Sequence, residues 1–511
     1  MLREKYGIID IGSNTMRLVI YERDKSGRLR EIENVKSVAR LRNYLTDQAF
    51  LTLQGIDILI STLISFQEVT RHHQLDDIKC VATAAIRQAQ NKEEILKTVE
   101  SKTDYTIRVL SEYEEAYYGF LAVVNSTSVT KGITIDIGGG STEVTLFENR
   151  EIVEYHSFPF GALSLKKQFI TGDLPSESEM IAIQNYIKQQ LAKLPWLHNQ
   201  NLPIVAIGGS ARNMVQIDQA LKQYPLAGVH QYNMRIEDIT VIKSYLADLP
   251  FEELQRVDGL SKDRADIILP AIEVFYSLYK TVAATAFILS RKGLRDGIFY
   301  EQLMNELGHT KFPNVIEGSF QELAADYDID LNHVNHVTNL AVMMVDQLNG
   351  VQDITLTKGD RDLLKRGAFV FNLGQYIDSE SSSQHTFYLL ANRTIDGLLH
   401  KDRVKIALIA SYKNKDAFKQ YIERYGNWFS KEEQKKLRYL GAILKFAYSL
   451  NATKRNIVHT ISVKAKKDKL TFLIMCIGDW KPEEYQADKQ KKHLEKLIKV
   501  PVELLFEHAE G

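Results

Sequence analysis

The chain has 511 residues, 44% of them hydrophobic and 25% charged, which excludes a disordered or fibrous protein and calls for two to four domains. The net charge is −1, and the two cysteines, Cys80 and Cys476, both lie in apolar runs, which argues against a disulfide framework or a cysteine metal centre. No apolar stretch reaches the length of a membrane span and no signal peptide precedes the first strand, so the expected location is the cytoplasm, with no membrane partner.

Tyr6–Glu22 reads as a hairpin around Ile9-Asp10-Ile11-Gly12-Ser13-Asn14-Thr15, and Gly27–Val38 as a further strand. Leu51–His72 has apolar residues at helical spacing; Ile78–Ala82, Lys92–Glu100 and Thr106–Leu110 read as strand, helix and strand. Gly132–Phe147 then repeats the opening plan around Ile135-Asp136-Ile137-Gly138-Gly139-Gly140-Ser141-Thr142. Glu177–Leu194 reads as a helix, and Pro203–Ile207 as a strand running into Gly208-Gly209-Ser210-Ala211. Strands and crossover helices in two similar halves predict a duplicated α/β fold with a cleft between the halves.

From about residue 310 the pattern becomes helical: Val334–Leu348, Lys358–Phe371, Thr386–Asn392, Arg403–Tyr412 and Glu432–Leu450. The tail, Asn456–Phe506, reads as two strands, a basic helix and a last strand, a small α+β module. Residues 401–511 carry 24 Lys and Arg against 14 Asp and Glu, while the rest carries 40 against 51. The excess, with Lys464, Lys466, Lys467, Lys469, Lys489, Lys491 and Lys492, suits either a solvated surface or a polyanion.

The repeated loop is the main chemical signal. Glycine lets the backbone approach an anion, hydroxyls and bare N–H groups supply donors, and an aspartate at the strand end suits a hard divalent cation. Asp10 and Asp136 are candidates to hold magnesium, with Glu143 completing the shell; either aspartate also suits a turn bonded to its own backbone. Ser111 and Glu114 fit a capping box, which leaves Glu115 as a carboxylate that either activates a water or merely favours the helix dipole. Arg87, among small residues, and Arg264, between two aspartates, suit phosphate clamps or surface ion pairs.

Taken in order from residue 6 to about 300, these segments resemble the exopolyphosphatase / guanosine pentaphosphate phosphatase family, within the actin–Hsp70–sugar kinase superfamily. The resemblance rests on the two glycine loops, Ala82-Thr83-Ala84-Ala85-Ile86-Arg87 through Asn91, and Leu110-Ser111 with Glu114-Glu115-Ala116. It extends through Phe160-Gly161-Ala162, Gly208-Gly209-Ser210-Ala211-Arg212, Arg264-Ala265-Asp266 and Gly293-Leu294-Arg295-Asp296-Gly297.

It implies a hydrolase with Glu115, Asp136 and Glu143 as catalytic residues and Mg2+ or Mn2+ held by Asp10, Asp136 and Glu143. Substrate phosphate would meet Ser13, Asn14, Thr15, Arg87, Gly138, Gly139, Gly140, Ser141, Thr142, Gly209, Ser210 and Arg264. The implied fold is two duplicated actin-like (ribonuclease H-like) α/β lobes, 1–125 and 126–308, around a cleft. A helical HD-like domain (309–453) and a small α+β module (454–511) follow. The implied assembly is a homodimer.

Two departures stand out. The family usually carries a basic or polar residue after Gly-Ala-Val, where this chain has Gly161-Ala162-Leu163-Ser164, so one phosphate contact is expected to be weaker. Phe371-Asn372-Leu373-Gly374 replaces the His-Asp pair of an active HD domain, so no second hydrolase site is expected. The expected activity is removal of terminal phosphate from inorganic polyphosphate, with guanosine pentaphosphate as the alternative substrate. An ATPase or kinase of the superfamily and a non-catalytic polyphosphate or alarmone sensor are the other readings.

Overall fold

The computed structural model describes residues 4–23, 29–306, 308–348, 355–465 and 469–509. Gly27 and Arg28 of the third expected strand, and Lys466 and Lys467 of the basic tail, lie outside the described residues. The chain forms two compact units, one running to Tyr224 and resuming from Val229 to Val315, the other comprising Pro225–Gly228 and the chain from Ile316 onward.

The first unit contains one topology built twice. Strands β1 (Lys5–Ile11), β2 (Met16–Arg23), β3 (Leu29–Ser37), β4 (Asp77–Ala82) and β5 (Ile107–Val109) form a sheet ordered β3-β2-β1-β4-β5. The second sheet contains β6 (Lys131–Ile137), β7 (Thr142–Glu148), β8 (Glu151–Phe158), β9 (Ile204–Ile207), β10 (Asn233–Met234) and β11 (Phe287–Leu289). Its order is β10-β11-β9-β6-β7-β8. In both sheets three antiparallel strands come first, and crossover helices then add parallel strands beside the opening one. The duplicated α/β lobes expected from sequence are therefore present, with β10 as an added edge.

Both faces of the central strands are covered, which explains why β1, β6, β7 and β9 read as largely apolar runs, whereas the edge strands β3 and β8 are mostly exposed and polar. In β1, Ile9 and Ile11 enter the core of the first lobe, while Ile8 enters a shared core with Val81, Phe120, Phe147, Val205 and Phe299. Helices Glu112–Val124 and Leu294–Glu306 supply much of that shared core, tying the lobes together at their base. Where the two helices cross, Gly297 lies directly on the Tyr118 carbonyl, leaving no room for a Cβ. Gly297→Val should therefore destabilise the first unit by roughly 1–3 kcal/mol, read as a lowered urea midpoint, by forcing the helices apart.

The second unit begins its helical part with Val315–Asp326, Leu331–Leu348, Lys358–Phe369 and Ser382–Asn392. His400–Ala410, Lys415–Glu423 and Lys431–Ser449 complete the set. The tail follows as β12 (Val458–Ala465), β13 (Leu470–Cys476), helix Lys481–Ile498 and β14 (Val502–His508), the order read from sequence. Gln347 completes the edge of β12, its amide donating to the Ile461 carbonyl and its oxygen accepting from the Val463 N–H, both at 2.6 Å. His333 is buried and its Nδ1 accepts from Asn451, while Asn372 occupies a left-handed turn. No described helix is long and apolar enough to cross a membrane.

Candidate active site

Four residues separate the strands of each opening hairpin. Ile11 pairs with Met16 and Ile137 with Thr142, and each loop closes on one bond, Gly12 N–H to the Thr15 carbonyl and Gly138 N–H to the Ser141 carbonyl. The carbonyls that would repel an anion are tied back. Those of Ser13 and Asn14 accept from the N–H groups of Arg42 and Arg40, and those of Gly138 and Gly139 from Ala162 and Ser164. The N–H groups of Ser13, Asn14, Thr15, Gly139, Gly140 and Ser141 have no acceptor among the described residues. The buried Asn14 carboxamide is likewise unpartnered on both atoms. Unmet buried donors are costly, so two facing loops of them form a prepared anion cradle.

The loops approach each other closely: a Cβ on Gly139 would sit 2.9 Å from Ser13 Cβ. Gly140 faces Ser13 and Ala84 rather than the cleft surface. Thr142 is the first residue of β7, fully buried, and its hydroxyl donates to the Phe160 carbonyl at 2.7 Å; it does not reach the cleft. Helix Gly208–Leu221 opens on the cleft, and Gly208 adopts φ 89° where its backbone passes against Asp136 Oδ1. Gly209 lines the cleft beneath the Arg264 guanidinium. Ser210 is buried, and its hydroxyl accepts from Arg264 at 3.2 Å, so it positions the arginine instead of meeting phosphate itself.

The carboxylates converge from both lobes. Ser111 and Glu114 form the expected capping box, the Ser111 hydroxyl accepting from the Glu114 N–H and the Glu114 carboxylate from the Ser111 N–H. Glu115 is thereby turned into the cleft, but it is not free. Arg87 donates from one nitrogen, Nη1, to Glu115 Oε2 at 2.8 Å and to the Leu110 carbonyl at 3.0 Å, while its buried Nε and Nη2 have no partner among the described residues. Burial pushes the Glu115 carboxyl up to about 7 against the pull of Arg87, with Asp136 and Asp10 adding to the rise.

Asp136 lines the cleft with no hydrogen-bond donor among the described residues, and burial beside Asp10 raises it to about 6. Glu143, its cross-strand partner, lies buried behind the cleft surface, held by the Ser157 hydroxyl at 2.9 Å and raised by burial and by Glu115. Asp10 differs from expectation: Arg295 donates to its carboxylate at 2.6 Å, so its charge is already met.

Sequence reasoning assigns no role to Arg17, Arg212, Arg291 or Arg295, yet all four line the cleft with Arg264. For Arg17 the sequence does hold a signal. It pairs with Asp10 as Glu143 pairs with Asp136, so it occupies in the first lobe the place of a carboxylate in the second.

No group of three or more potential ligand side chains is arranged to hold a metal ion among the described residues. A hard cation with few protein ligands still fits here: an undonated Asp136 carboxylate, backed by Glu143, faces a cradle for phosphate oxygens.

The Ppx/GppA phosphatase family model matches residues 19–306, and its domain III model matches residues 315–495. The chain belongs to the Ppx/GppA phosphatase family. It is a hydrolase of that family, with two actin-like lobes followed by helical domain III and a three-stranded C-terminal sheet. Among Ppx/GppA proteins it is similar to a guanosine-5'-triphosphate,3'-diphosphate pyrophosphatase of Aeromonas hydrophila, 25% identical over 94% of each chain. It is also similar to exopolyphosphatase 1 of Mycobacterium tuberculosis, 24% identical over 60% of this chain and 90% of the other. The crystal structure of the Aquifex aeolicus Ppx/GppA member is 27% identical, with a TM-score of 0.52 over 60% of this chain and 99% of that one.

Proposed function

We propose that this protein removes the terminal phosphate of inorganic polyphosphate by general-base hydrolysis, releasing orthophosphate. The observation that carries the reading is the pair of loops whose carbonyls are tied back and whose N–H groups have no acceptor, beside a raised Glu115 carboxylate. Glu115 takes a proton from water as the water oxygen bonds the terminal phosphorus and the bridging P–O bond breaks. The loop N–H groups hold the equatorial oxygens, and Arg264 meets charge on the leaving side. Bound Mg2+ or Mn2+, held by Asp136 with Glu143 behind it, would supply further charge neutralisation; Asp10 instead keeps Arg295 in place. Loop backbone and the guanidinium groups of Arg17, Arg212, Arg264, Arg291 and Arg295 supply cleft donors that address phosphate oxygens of any chain, beside apolar lining from Ile137, Ile207, Ile267 and Leu294.

A second reading, hydrolysis of guanosine pentaphosphate at its terminal phosphate, is supported by the likeness to the Aeromonas protein along nearly the whole chain. Orthophosphate release from long-chain polyphosphate and from guanosine pentaphosphate, measured side by side with magnesium and with a chelator, separates them. Faster magnesium-dependent release from polyphosphate is expected. Release from the nucleotide alone would establish the second reading, and no release from either would reject both.

The acid side of the kcat/KM profile offers a finer check. A base must be deprotonated, so the rate should fall tenfold per unit as pH drops below about 7. Arg87 favours the charged form of Glu115, and Arg87→Met should move that fall upward by roughly one unit or more.

A further inference from the structure

The cleft arginines are not in one state. Arg295 is tied to Asp10, Arg17 donates to Asn34 at 2.7 Å, and Arg264 donates to Ser210. The guanidinium groups of Arg212 and Arg291 also line the cleft, yet neither has a hydrogen-bond or ion-pair partner among the described residues. They lie near enough to oppose each other: after burial, Arg291 is the strongest influence lowering the proton affinity of Arg212, followed by Arg295 and Arg264. Asp296 offsets part of this opposition, but no acid among the described residues is bonded to either guanidinium, and like charges gathered in this way cost free energy until an anion enters.

The arrangement is held in place from behind. The Arg291 backbone N–H donates to Nδ1 of His230 at 3.1 Å, and Nε2 of that buried ring meets the Ser126 carbonyl at 3.0 Å. Arg212 stands near the start of helix Gly208–Leu221, whose first residues also line the cleft. The groups acting most strongly on Glu115 are Arg87, Asp136 and Asp10, whereas those acting most strongly on Arg212 are Arg291, Arg295 and Arg264. Glu115 and Arg212 therefore answer to different nearest charges within the one cleft that both line.

Resting on the phosphoanhydride reading above, we propose that Arg212 and Arg291 form a second anion subsite, which holds the phosphoryl groups of the leaving chain while the loops hold the terminal phosphate. The ligand class is a run of linked phosphates, which an inorganic chain and the 5' end of guanosine pentaphosphate both provide. Arg291 becomes a specificity residue: it separates ligands with several linked phosphates from those with one.

The test is calorimetric binding of tripolyphosphate, guanosine pentaphosphate and orthophosphate, on a Glu115→Gln background so that turnover does not intervene. Removing one charge-assisted hydrogen bond to phosphate should weaken binding about tenfold or more. Arg291→Gln and Arg212→Gln should each weaken tripolyphosphate or guanosine pentaphosphate by that factor, and orthophosphate by less than about threefold. Weakening confined to one long ligand supports the subsite and names its source. Unchanged binding of both long ligands, or an equal weakening for orthophosphate, overturns the proposal. Arg291 is exposed and its replacement buries nothing, so it carries the test even if Arg212→Gln fails to fold. Turnover by the unaltered protein judges the hydrolase reading separately: binding without orthophosphate release would sink that reading and leave the subsite measurable.

Discussion

Glu115→Gln should lower orthophosphate release by roughly 10²–10⁴-fold while tripolyphosphate binding stays within about threefold of the parent. The size follows from the role: a positioned base contributes that much, and glutamine cannot take the proton. The exchange is otherwise mild. Glutamine has nearly the same shape, its Oε1 still accepts the bond from Arg87, and the Ser111–Glu114 cap that aims the side chain is untouched. The loop N–H groups proposed to cradle phosphate are supplied by other elements, so affinity should persist. Orthophosphate release under single-turnover conditions, paired with calorimetry, checks both halves. Near-normal release would remove Glu115 from the role of base, and a parallel fall in binding would show that the side chain acts on ground-state affinity.

What the sequence makes legible is whatever is encoded locally. The two glycine loops, the capping box and the helical spacing of Leu53–His73 are decided by neighbours in sequence, and they stand where expected. What escapes depends on chain segments far apart. Nothing near Ser13 and Asn14 indicates that Arg40 and Arg42 bind their carbonyls, or that Ala162 and Ser164 do the same for the second loop. Arg87 resembles a phosphate ligand because small residues surround it, but its nearest acid, Glu115, arrives on another helix. Thr142 resembles part of the loop because it follows Ser141, yet the strand register begins with it. Arg17 is the instructive omission. Laying one copy of the repeat over the other, Asp10 on Asp136, places Arg17 on Glu143 and marks both as partners of the loop aspartates. The duplication is visible in the sequence, so the comparison needs no coordinates; its consequence for charge emerges only when the two lobes face one cleft.

The same comparison leads to the second large effect, at Asp10. Here the acid that matches Asp136 is paired with Arg295, which comes from the helix that closes the base of the cleft, 285 positions away. Both side chains are mostly buried, so Arg295→Met should cost about 3 kcal/mol in urea unfolding by leaving the carboxylate without its partner. A second consequence follows from the fields inside the cleft. Asp10 raises Asp136 and Arg295 lowers it, so removing the arginine should push the Asp136 carboxyl above about 6 and weaken the hold on a cation proposed for it. The expected result is a higher magnesium concentration for half-maximal orthophosphate release in Arg295→Met, largely corrected when Asp10→Asn is added. Stability should recover in the same double variant, because the orphaned charge has gone. The contrary pattern is equally distinct. If Asp10 itself held the metal, Asp10→Asn alone would raise the magnesium requirement, and adding it to Arg295→Met would make the defect worse instead of correcting it.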